Sequence, residues 1–334
     1  MVFVTGGTGF VGSYLLAALV SRGRQVRALK RAGSTTAYCE GIFNYKFGAE
    51  GAALFSKINW VEGDLFDIYA LENAMDGAGE IYHCAAIVSL RDENPGEIIR
   101  TSEKGTANMV NAALSKGIAN FCFTSSVAAL AEQEGSETTE EHFKDFTFGK
   151  APYFTAKHLA EAQVWRGNAE GLNVVVVAPT IVLGPWNGKN KGSMELISTA
   201  DKNSKFYTGG TMGYVHVADV AEVMIRLMDN KLYNERYILN SENVLYRDVI
   251  SQIATNLGKQ PPRFRLSRTA LRLLRLLNNA VNKRKISRIT IAHAAGDYRY
   301  SNRKIKQALG GFNFVPVKAA LEEQVKFYLN EKGR

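Results

Sequence analysis

Short apolar runs alternate with longer stretches of helical spacing through the first half of the chain. The run 174–177 is apolar at every position, as expected of a strand that is buried on both faces. We predict helices at 11–22, 101–116 and 153–168, and strands at 2–4, 25–29, 58–62, 80–84, 120–124 and 173–178. Alternation of strand and helix is typical of a doubly wound parallel sheet, so the predicted fold class is α/β of the Rossmann type.

This alternation ends after Ala178. The turn-forming residues that follow are Pro179, Gly184, Pro185, Gly188 and Gly192. Helix and loop are expected up to Gly213, then a helix at 215–227, a strand at 236–239 and a mostly helical remainder. We therefore predict a dinucleotide-binding domain at 1–178 and 213–241, and a smaller substrate-binding lobe at 179–212 and 242–334. A substrate would lie in the cleft between them.

A glycine-rich turn joins the first predicted strand to the first helix. Gly7, Gly9 and Gly12 fit the pattern G-x-G-x-x-G, and Gly6 adds the spacing G-x-x-G-x-x-G. Glycine permits a tight turn, close approach of the backbone to a pyrophosphate and close packing of helix on strand. The amino end of the helix offers free N–H donors to phosphate oxygens. The position of the pattern at a strand–helix junction supports a dinucleotide site.

The end of the second strand bears on the choice of dinucleotide. NAD-binding proteins place an acidic residue near this point for the ribose 2′-hydroxyl, yet no Asp or Glu occurs between Val2 and Cys39. Lys30 and Arg31 end the strand instead, where a guanidinium would bind a 2′-phosphate through two hydrogen bonds. We predict NADP as the cofactor, with NAD as the alternative. Arg31 would be the selecting residue, and Lys30 and Ser34 its helpers.

A Tyr-x-x-x-Lys pattern suggests catalytic chemistry, because residues four apart share one face of a helix. A nearby ammonium is expected to lower the pKa of the phenol, which then exchanges a proton with a substrate oxygen. The pattern occurs at Tyr153/Lys157, Tyr300/Lys304 and Tyr328/Lys332. The first pair follows the predicted strand that ends at Ser126, where the hydroxyl would polarise a carbonyl. We predict Ser126, Tyr153 and Lys157 as the catalytic residues. The other two tyrosines are expected to pack in the helical tail.

Seven stretches together resemble the extended short-chain dehydrogenase/reductases of the NAD-dependent epimerase/dehydratase superfamily. They are TGGTGFVGSYL at 5–15, GDLFD at 63–67, HCAA at 83–86, GTANMVNAA at 105–113, FTSS at 123–126, YFTAK at 153–157 and VHVADVAEV at 215–223. The stretches 26–31 and 209–216 are most similar to dihydroflavonol 4-reductase and 3β-hydroxysteroid dehydrogenase relatives.

The resemblance implies further contacts with the cofactor. Tyr153 and Lys157 would touch it as well as the substrate, Lys157 through the nicotinamide ribose. The other implied contacts are Thr8, Gly9, Phe10 and Val11 with the pyrophosphate, Asp64 and Leu65 with the adenine, Ala85 and Ala86 with the ribose–nicotinamide side, Ser125 at the end of its strand, and Pro179 in the nicotinamide pocket.

Three reactions are common on a scaffold of this kind. Sugar-nucleotide dehydratases need an Asp–Glu pair directly after the catalytic hydroxyl residue, but Val127-Ala-Ala-Leu130 follows Ser126 here. We predict an oxidoreductase that interconverts a carbonyl and a secondary alcohol on a small organic substrate. An NAD-dependent nucleotide-sugar epimerase is the alternative. A non-catalytic nucleotide-sensing regulator is a further one, although it would not need the tyrosine–lysine pair.

The histidines and cysteines do not suggest a metal. Cys39, Cys84 and Cys122 are too few and too scattered for a zinc site or a disulfide framework, which indicates a reducing compartment. His216 is expected at a strand end with Asp219 capping the next helix, and His83 is expected to pack near the cofactor. A strand beginning at the second residue leaves no room for a signal peptide, and no apolar stretch reaches the length of a membrane-spanning helix. We therefore expect a cytoplasmic enzyme, with a homodimer possible.

Positive charge is concentrated near the end of the chain. The formal net charge is +9, and residues 259–306 contain fourteen Lys and Arg against one acid, Asp297. No nucleic-acid module accompanies them, so we interpret the charge as a solvated helical face near an anionic ligand rather than a nucleic-acid surface. Within this region, 266–282 is predicted to form an amphipathic helix whose apolar face covers the substrate pocket. Contact with an anionic membrane is the alternative, for which the helix lacks Trp or Phe anchors.

Overall fold

The structure is a computed structural model that describes residues 1–86, 95–143, 151–186, 193–202, 205–281 and 288–333. Of the predicted segments, Gly188, Gly192 and residue 282 lie outside the described residues, as do the side chains of 277–281. The strands are β1 (Val2–Thr5), β2 (Val26–Lys30), β3 (Asn59–Glu62), β4 (Glu80–His83), β5 (Asn120–Thr124), β6 (Glu137–Thr138), β7 (Asn173–Pro179), β8 (Ile181–Leu183), β9 (Phe206–Tyr207), β10 (Thr211–His216), β11 (Glu235–Leu239), β12 (Glu242–Leu245), β13 (Phe264–Arg265) and β14 (Arg299–Tyr300). The α-helices are α1 (Phe10–Ser21), α2 (Ala37–Phe47), α3 (Gly51–Phe55), α4 (Ile68–Ala74), α5 (Pro95–Ser115), α6 (Pro152–Ala169), α7 (Met194–Asp201), α8 (Val217–Asp229), α9 (Tyr246–Asn256), α10 (Arg268–Val281), α11 (Arg288–Ala295), α12 (Arg303–Ala308) and α13 (Val317–Glu331).

A seven-stranded sheet with the order β11-β7-β5-β4-β1-β2-β3 forms the centre of the molecule, and its paired strands are parallel. The apolar run on β7 is buried along its length, as its sequence predicted. Helices α1 and α8 pack together on one face, and α5 and α6 pack together on the other. The predicted α/β Rossmann architecture is confirmed.

Strands β2 and β3 extend the sheet on one side of β1, whereas β4, the next strand along the chain, pairs with β1 on its other side. In open parallel sheets the crevice beyond the carboxyl ends of such strands is where ligands bind. The glycine turn after Thr5 and the segment after His83 both leave the sheet at this point. The topology therefore brings two of the predicted cofactor segments side by side.

A second core lies beyond the central sheet, where β12, β10 and β8 form a smaller three-stranded sheet. The prediction of a helix from 215 is wrong at its start, because Val215 and His216 belong to β10 and α8 begins at Val217. His216 is the N-cap, since its side chain accepts a hydrogen bond from the N–H of Ala218. Asp219 therefore does not cap this helix as predicted. Its carboxylate accepts from the N–H of Val315 at 2.8 Å. The division into two domains itself stays a prediction.

The amphipathic helix predicted at 266–282 corresponds to α10. The described leucines on its apolar side do not cover a pocket, because Leu273, Leu274 and Leu276 are 58%, 48% and 59% exposed. Leu271 and Arg275 on the opposite side are half-buried, so this opposite side faces the protein. None of the described helices has both the length and the apolar character needed to cross a membrane.

Candidate active site

The glycine turn between β1 and α1 is packed so tightly that side chains are excluded from it. A Cβ on Gly6, whose φ is +73°, would lie 2.5 Å from the backbone nitrogen of Ala85. A Cβ on Gly12 would lie 2.1 Å from the carbonyl oxygen of Gly6, and one on Gly7 would meet Leu16 at 2.6 Å. A Cβ on Gly9 would be less crowded, at 3.2 Å from the same carbonyl of Gly6. The turn thus has the close backbone geometry that a pyrophosphate cradle requires.

Helix α1 begins at this turn with unpaired donors. The first N–H bond along the helix runs from Ser13 to the carbonyl of Gly9. The N–H groups of Phe10, Val11 and Gly12 precede it and have no acceptor within the helix. The turn carrying Thr8 and the first turn of α1 therefore fit the phosphates of a dinucleotide, whose negative charge the helix dipole stabilises.

The two basic residues at the end of β2 differ in their surroundings. The ammonium of Lys30 forms an ion pair with Glu62 on the neighbouring strand β3. Arg31 is exposed, and no acid among the described residues pairs with its guanidinium. Ser34 lies close by, because its N–H donates to the carbonyl of Arg31 at 3.0 Å. Arg31 thus has the greater freedom to bind an anion.

The remaining residues implied by the family resemblance follow the carboxyl ends of β3, β4 and β7. Asp64 forms a turn in which its Oδ1 accepts from the N–H of Phe66 at 2.8 Å. The carbonyl of Leu65 accepts from Asn108 on α5 at 2.8 Å, which anchors that turn to the helix. Ala85 and Ala86 follow β4, and Pro179 ends β7. Parallel strands place all of these at one edge of the sheet, although their contact with a cofactor stays a prediction.

Lys157 lies on α6 beside the end of β5. Its Nζ donates to the carbonyl oxygen of Thr124 at 2.8 Å, and the side chain is buried against the ring of Phe123. Burial disfavours the charged ammonium and lowers its pKa from 10.5 to about 8, while nearby Cys84 and Glu161 act in the opposite direction. The ammonium is therefore held in one position and predominates at neutral pH.

Tyr153 begins α6 one turn before Lys157, and its phenol lies beside the hydroxyl of Ser126. Ser126 is fixed in turn, because its Oγ accepts from the N–H of Ala128 at 3.2 Å at the start of a short 3-10 helix. Burial raises the pKa of Tyr153, and the neighbouring Ser126 lowers it by less. The expected net lowering by Lys157 is therefore wrong in direction, since the ammonium donates to Thr124 and burial dominates at the phenol.

The other two Tyr-x-x-x-Lys pairs lie apart from this edge of the sheet. Tyr300 belongs to β14 and not to a helix, contrary to its predicted place in the helical tail, and its hydroxyl donates to Glu132 at 2.6 Å. Tyr328 on α13 donates to Asp201 at 2.7 Å. Both tyrosines therefore have the packing roles that the sequence predicted, and only Tyr153 adjoins Ser126.

A buried ionic network behind the candidate catalytic residues was missed from the sequence. Glu161, one turn after Lys157 on α6, forms an ion pair with Arg236 on β11, and both side chains are buried. Its other oxygen accepts from the hydroxyl of Ser125 at 2.5 Å. Arg236 also donates to the carbonyl of Glu140 at 2.8 Å. Two signals were available: the Lys-x-x-x-Glu spacing on the helix and an arginine within an apolar strand.

Ser125 was predicted to contact the cofactor, but its hydroxyl is taken up by this network. The network joins the end of β5, helix α6 and strand β11. Helix α6 carries Tyr153 and Lys157, and Ser126 follows the end of β5. Each group in the network has an opposite charge or a hydrogen-bond partner, as burial requires. It therefore fixes α6 against the sheet.

His83 lies beneath the glycine turn and is fully buried. Its Nδ1 is 2.6 Å from the hydroxyl of Thr5, and its Nε2 is 3.1 Å from that of Thr106. Burial, together with a smaller effect of the Lys157 charge, lowers its pKa to about 3, so the ring is neutral. This agrees with the packing role that was predicted.

Within the described residues no group of three or more His, Cys, Asp or Glu side chains is arranged to hold a metal ion.

Comparison with known proteins assigns the family. The model of the NAD dependent epimerase/dehydratase family matches residues 2–239, a region that includes the glycine turn, Ser126, Tyr153 and Lys157. The chain belongs to this family. The family resemblance inferred from the sequence motifs is thereby confirmed, and a nicotinamide dinucleotide is the family's cofactor.

Two relatives and one solved structure extend the comparison. A protein of Synechocystis sp. that carries the name dihydroflavonol 4-reductase is 30% identical over 78% of this chain and 74% of its own length. Cinnamoyl-CoA reductase 1 of Petunia hybrida is 28% identical over 100% of this chain and 93% of its own. UDP-glucose 4-epimerase from Thermotoga maritima, solved with UDP-glucose, has a TM-score of 0.77 at 18% identity, covering 99% of each chain, and this likeness is one of fold. The relatives named as reductases support the assignment of the protein as an oxidoreductase.

Proposed function

We propose that this protein is an NADP-dependent reductase that converts a carbonyl on a small organic substrate to a secondary alcohol, and catalyses the reverse oxidation. The observation that carries the proposal is that the phenol of Tyr153 lies beside Ser126, at the edge of the sheet where the glycine turn also lies. A proton donor and a second hydroxyl thus converge beside a dinucleotide cradle.

The ionisation of Tyr153 favours the reductive direction. Because burial raises the pKa of this phenol above its ordinary value of 10.0, Tyr153 is protonated at neutral pH and is ready to act as an acid. Ser126 would donate a hydrogen bond to the carbonyl oxygen and so polarise it, and Tyr153 would donate its proton to the same oxygen. A bound NADPH supplies the hydride that the carbonyl carbon accepts.

Lys157 would act through its fixed ammonium. Its hydrogen bond to Thr124 uses one of its three donors, and the others would bind the hydroxyls of the nicotinamide ribose. The positive charge lies one helical turn from Tyr153, where it would stabilise the phenolate left after proton transfer. Lys157 would thus serve both cofactor placement and proton transfer.

The preference for NADP rests on the two cations at the end of β2. Lys30 is neutralised by Glu62, whereas the exposed Arg31 has no described acidic partner. A guanidinium in this position would form two hydrogen bonds with a ribose 2′-phosphate. No Asp or Glu precedes Glu40 to bind a ribose 2′-hydroxyl in its place.

A direct test uses purified protein and a panel of carbonyl compounds that includes a dihydroflavonol and cinnamoyl-CoA, the compounds in the names of the relatives. NADPH oxidation with formation of a secondary alcohol from the dihydroflavonol or another ketone is the expected result, with NADH slower. Reduction of the thioester cinnamoyl-CoA would release CoA and give an aldehyde, so turnover of cinnamoyl-CoA alone would assign a different substrate class. Interconversion of UDP-sugars without net change in cofactor absorbance would support the nucleotide-sugar epimerase instead. Tight NADPH binding with no turnover of either class would favour a nucleotide-sensing regulator. The predicted cytoplasmic location is part of the same proposal, and a fractionation experiment tests it.

A further inference from the structure

The apolar side of α10 faces outward. With 3.6 residues per turn, Leu273, Leu274 and Leu276 fall within one arc of about 160°. Each of them is about half exposed or more. Arg275 is at the centre of the opposite arc, which also contains Leu271, and both side chains are half-buried. Arg268 on the same side donates to Glu134 and to the carbonyl of Ala295. The helix is thus attached to the protein by the side opposite these three leucines.

An exposed aromatic pair lies directly before this helix. Phe206 on β9 and Phe264 on β13 are paired in register, with ring centroids 5.9 Å apart, and they are 52% and 57% exposed. Only Leu266 and Ser267 separate β13 from the first residue of α10. Phe206 is distant from this helix along the chain, so no local sequence pattern indicates that it joins this region. The structure therefore supplies the aromatic anchors that the helix alone lacks.

The charge of this region indicates which kind of partner would bind to it. Between Asp248 and Asp297 the sequence contains ten Lys and Arg and no Asp or Glu. Arg263, Arg265 and Arg272 are exposed, and none of them pairs with an acid among the described residues. Two copies joined through this face would bring two such unbalanced groups of positive charge together, which disfavours self-association. An anionic surface is instead complementary to it.

We propose that α10, together with Phe206 and Phe264, is a docking surface for an anionic lipid bilayer. The leucines and the two phenylalanines would enter the boundary between headgroups and acyl chains, and the arginines would lie at the level of the lipid phosphates. The helix would lie in the plane of the membrane, because the attachment of its other side to the protein prevents it from spanning. Binding would be reversible and sensitive to salt.

The docking surface is connected to the candidate active site. Helix α10 packs against α11, and His293 on α11 contacts the ring of Phe154, the residue after Tyr153, with centroids 5.5 Å apart. Docking would thus hold the lobe that carries α11 against the bilayer. An apolar substrate dissolved in the membrane would then be supplied close to Tyr153.

Vesicle flotation of the full-length protein tests the proposal. The wild type is expected to float with vesicles of phosphatidylcholine and phosphatidylglycerol, and to float less with phosphatidylcholine alone or at high salt. The double variant Leu273→Gln/Leu276→Gln is expected to lower the partition coefficient by about tenfold or more, because two apolar contacts with the bilayer are lost. Phe206→Ser/Phe264→Ser is expected to act in the same direction.

Tyr69→Ser is the matched control, because Tyr69 is an exposed aromatic residue on α4, outside the docking surface. It should float as the wild type does. All variants should keep the wild-type unfolding temperature and the same turnover of a water-soluble substrate, so that this test is separate from that of the proposed reaction. The proposal would be overturned if the wild type did not float with anionic vesicles. It would also be overturned if the Leu273→Gln/Leu276→Gln variant floated as well as the wild type. If the wild type forms a concentration-dependent dimer and the Leu273→Gln/Leu276→Gln variant is a monomer, the surface would be assigned to a second copy instead.

Discussion

The Nζ of Lys157 lies 2.8 Å from the carbonyl oxygen of Thr124, the last residue of β5. This bond connects helix α6, which carries the candidate pair Tyr153 and Lys157, to the strand end that Ser126 follows two residues later. It also means that the ammonium acts on Tyr153 from a fixed position, while burial sets the pKa of the phenol. The first two predictions concern the proton of Tyr153 and the charge of Lys157.

Replacing Tyr153 with phenylalanine removes the proton donor and leaves the ring. We expect turnover to fall by about a hundredfold to ten-thousandfold, the range that general acid–base catalysis contributes. Cofactor affinity should change little, because the glycine turn and Lys157 are untouched. Steady-state kinetics and an NADPH fluorescence titration measure the two effects separately.

Tyr328→Phe is the matched control, because Tyr328 has the same spacing to a lysine but donates to Asp201 on α7. It should keep full turnover. A Tyr153→Phe variant as active as the wild type would refute the assignment of the acid.

The pH dependence of the reaction should differ between its two directions. Carbonyl reduction uses the protonated phenol, which the raised pKa of Tyr153 maintains throughout the neutral range. The rate should decline only above pH 8, by about tenfold per pH unit, as Lys157 with its pKa of about 8 loses its charge. Alcohol oxidation uses the phenolate, so its rate should rise with pH and level off above pH 8, where loss of the lysine charge offsets the gain in phenolate.

Profiles of kcat/KM against pH in both directions test this, with Lys157→Arg and Lys157→Met as comparison variants. Arg keeps its charge, so the decline in reduction should move to higher pH in Lys157→Arg. The decline near pH 8 should be absent in Lys157→Met, which is expected to be slow throughout. Its persistence in Lys157→Met would show that another group titrates.

The buried pair Glu161–Arg236 should matter more for stability than any exposed pair. Arg236→Met leaves the Glu161 carboxylate buried without its cation, which is expected to cost about 3–5 kcal/mol of unfolding free energy. Chemical denaturation measures this. The control is Arg303→Met, which removes an ion pair with Glu137 whose arginine is 83% exposed, and it should cost less than about 1 kcal/mol. Equal losses in the two variants would mean that the Glu161–Arg236 pair does not support the fold.

The central sheet and the edge that carries the candidate site could be predicted from the sequence because their signals are local. Each strand has its own apolar run, and the glycine turn, Ser126 and the Tyr153/Lys157 pair lie within short motifs. The small sheet was missed, because β10 and β12 pair across a long connection and the apolar pattern at 215–227 suits a helix equally well. Glu161 and Arg236 are 75 residues apart, so only the tertiary fold brings them together. Periodicity showed that α10 has an apolar side, but it could not show which side faces water.

Cofactor selection should depend on Arg31 far more than on its neighbour. Arg31→Ala is expected to weaken NADPH binding by about tenfold or more, because a bidentate charge-assisted contact with the 2′-phosphate is lost. NADH binding should be unchanged, since NADH has no phosphate at that position. Lys30→Ala is the control, because Lys30 is already neutralised by Glu62 and its loss should have a smaller effect. Equal weakening of NADPH and NADH in Arg31→Ala would contradict the predicted preference for NADP.

The glycine turn should tolerate a methyl group at one position and reject it at another. In Gly12→Ala the new Cβ would meet the carbonyl oxygen of Gly6 at 2.1 Å, and backbone atoms cannot move aside without opening the turn. We expect loss of measurable cofactor binding and a lower unfolding temperature. In Gly9→Ala the contact with the same oxygen is 3.2 Å, which a small shift relieves, so the fold should be retained and cofactor binding only weakened. Isothermal titration with NADPH and thermal unfolding of both variants test the difference. If Gly12→Ala binds NADPH as tightly as Gly9→Ala does, close packing of α1 on this turn is not what forms the site.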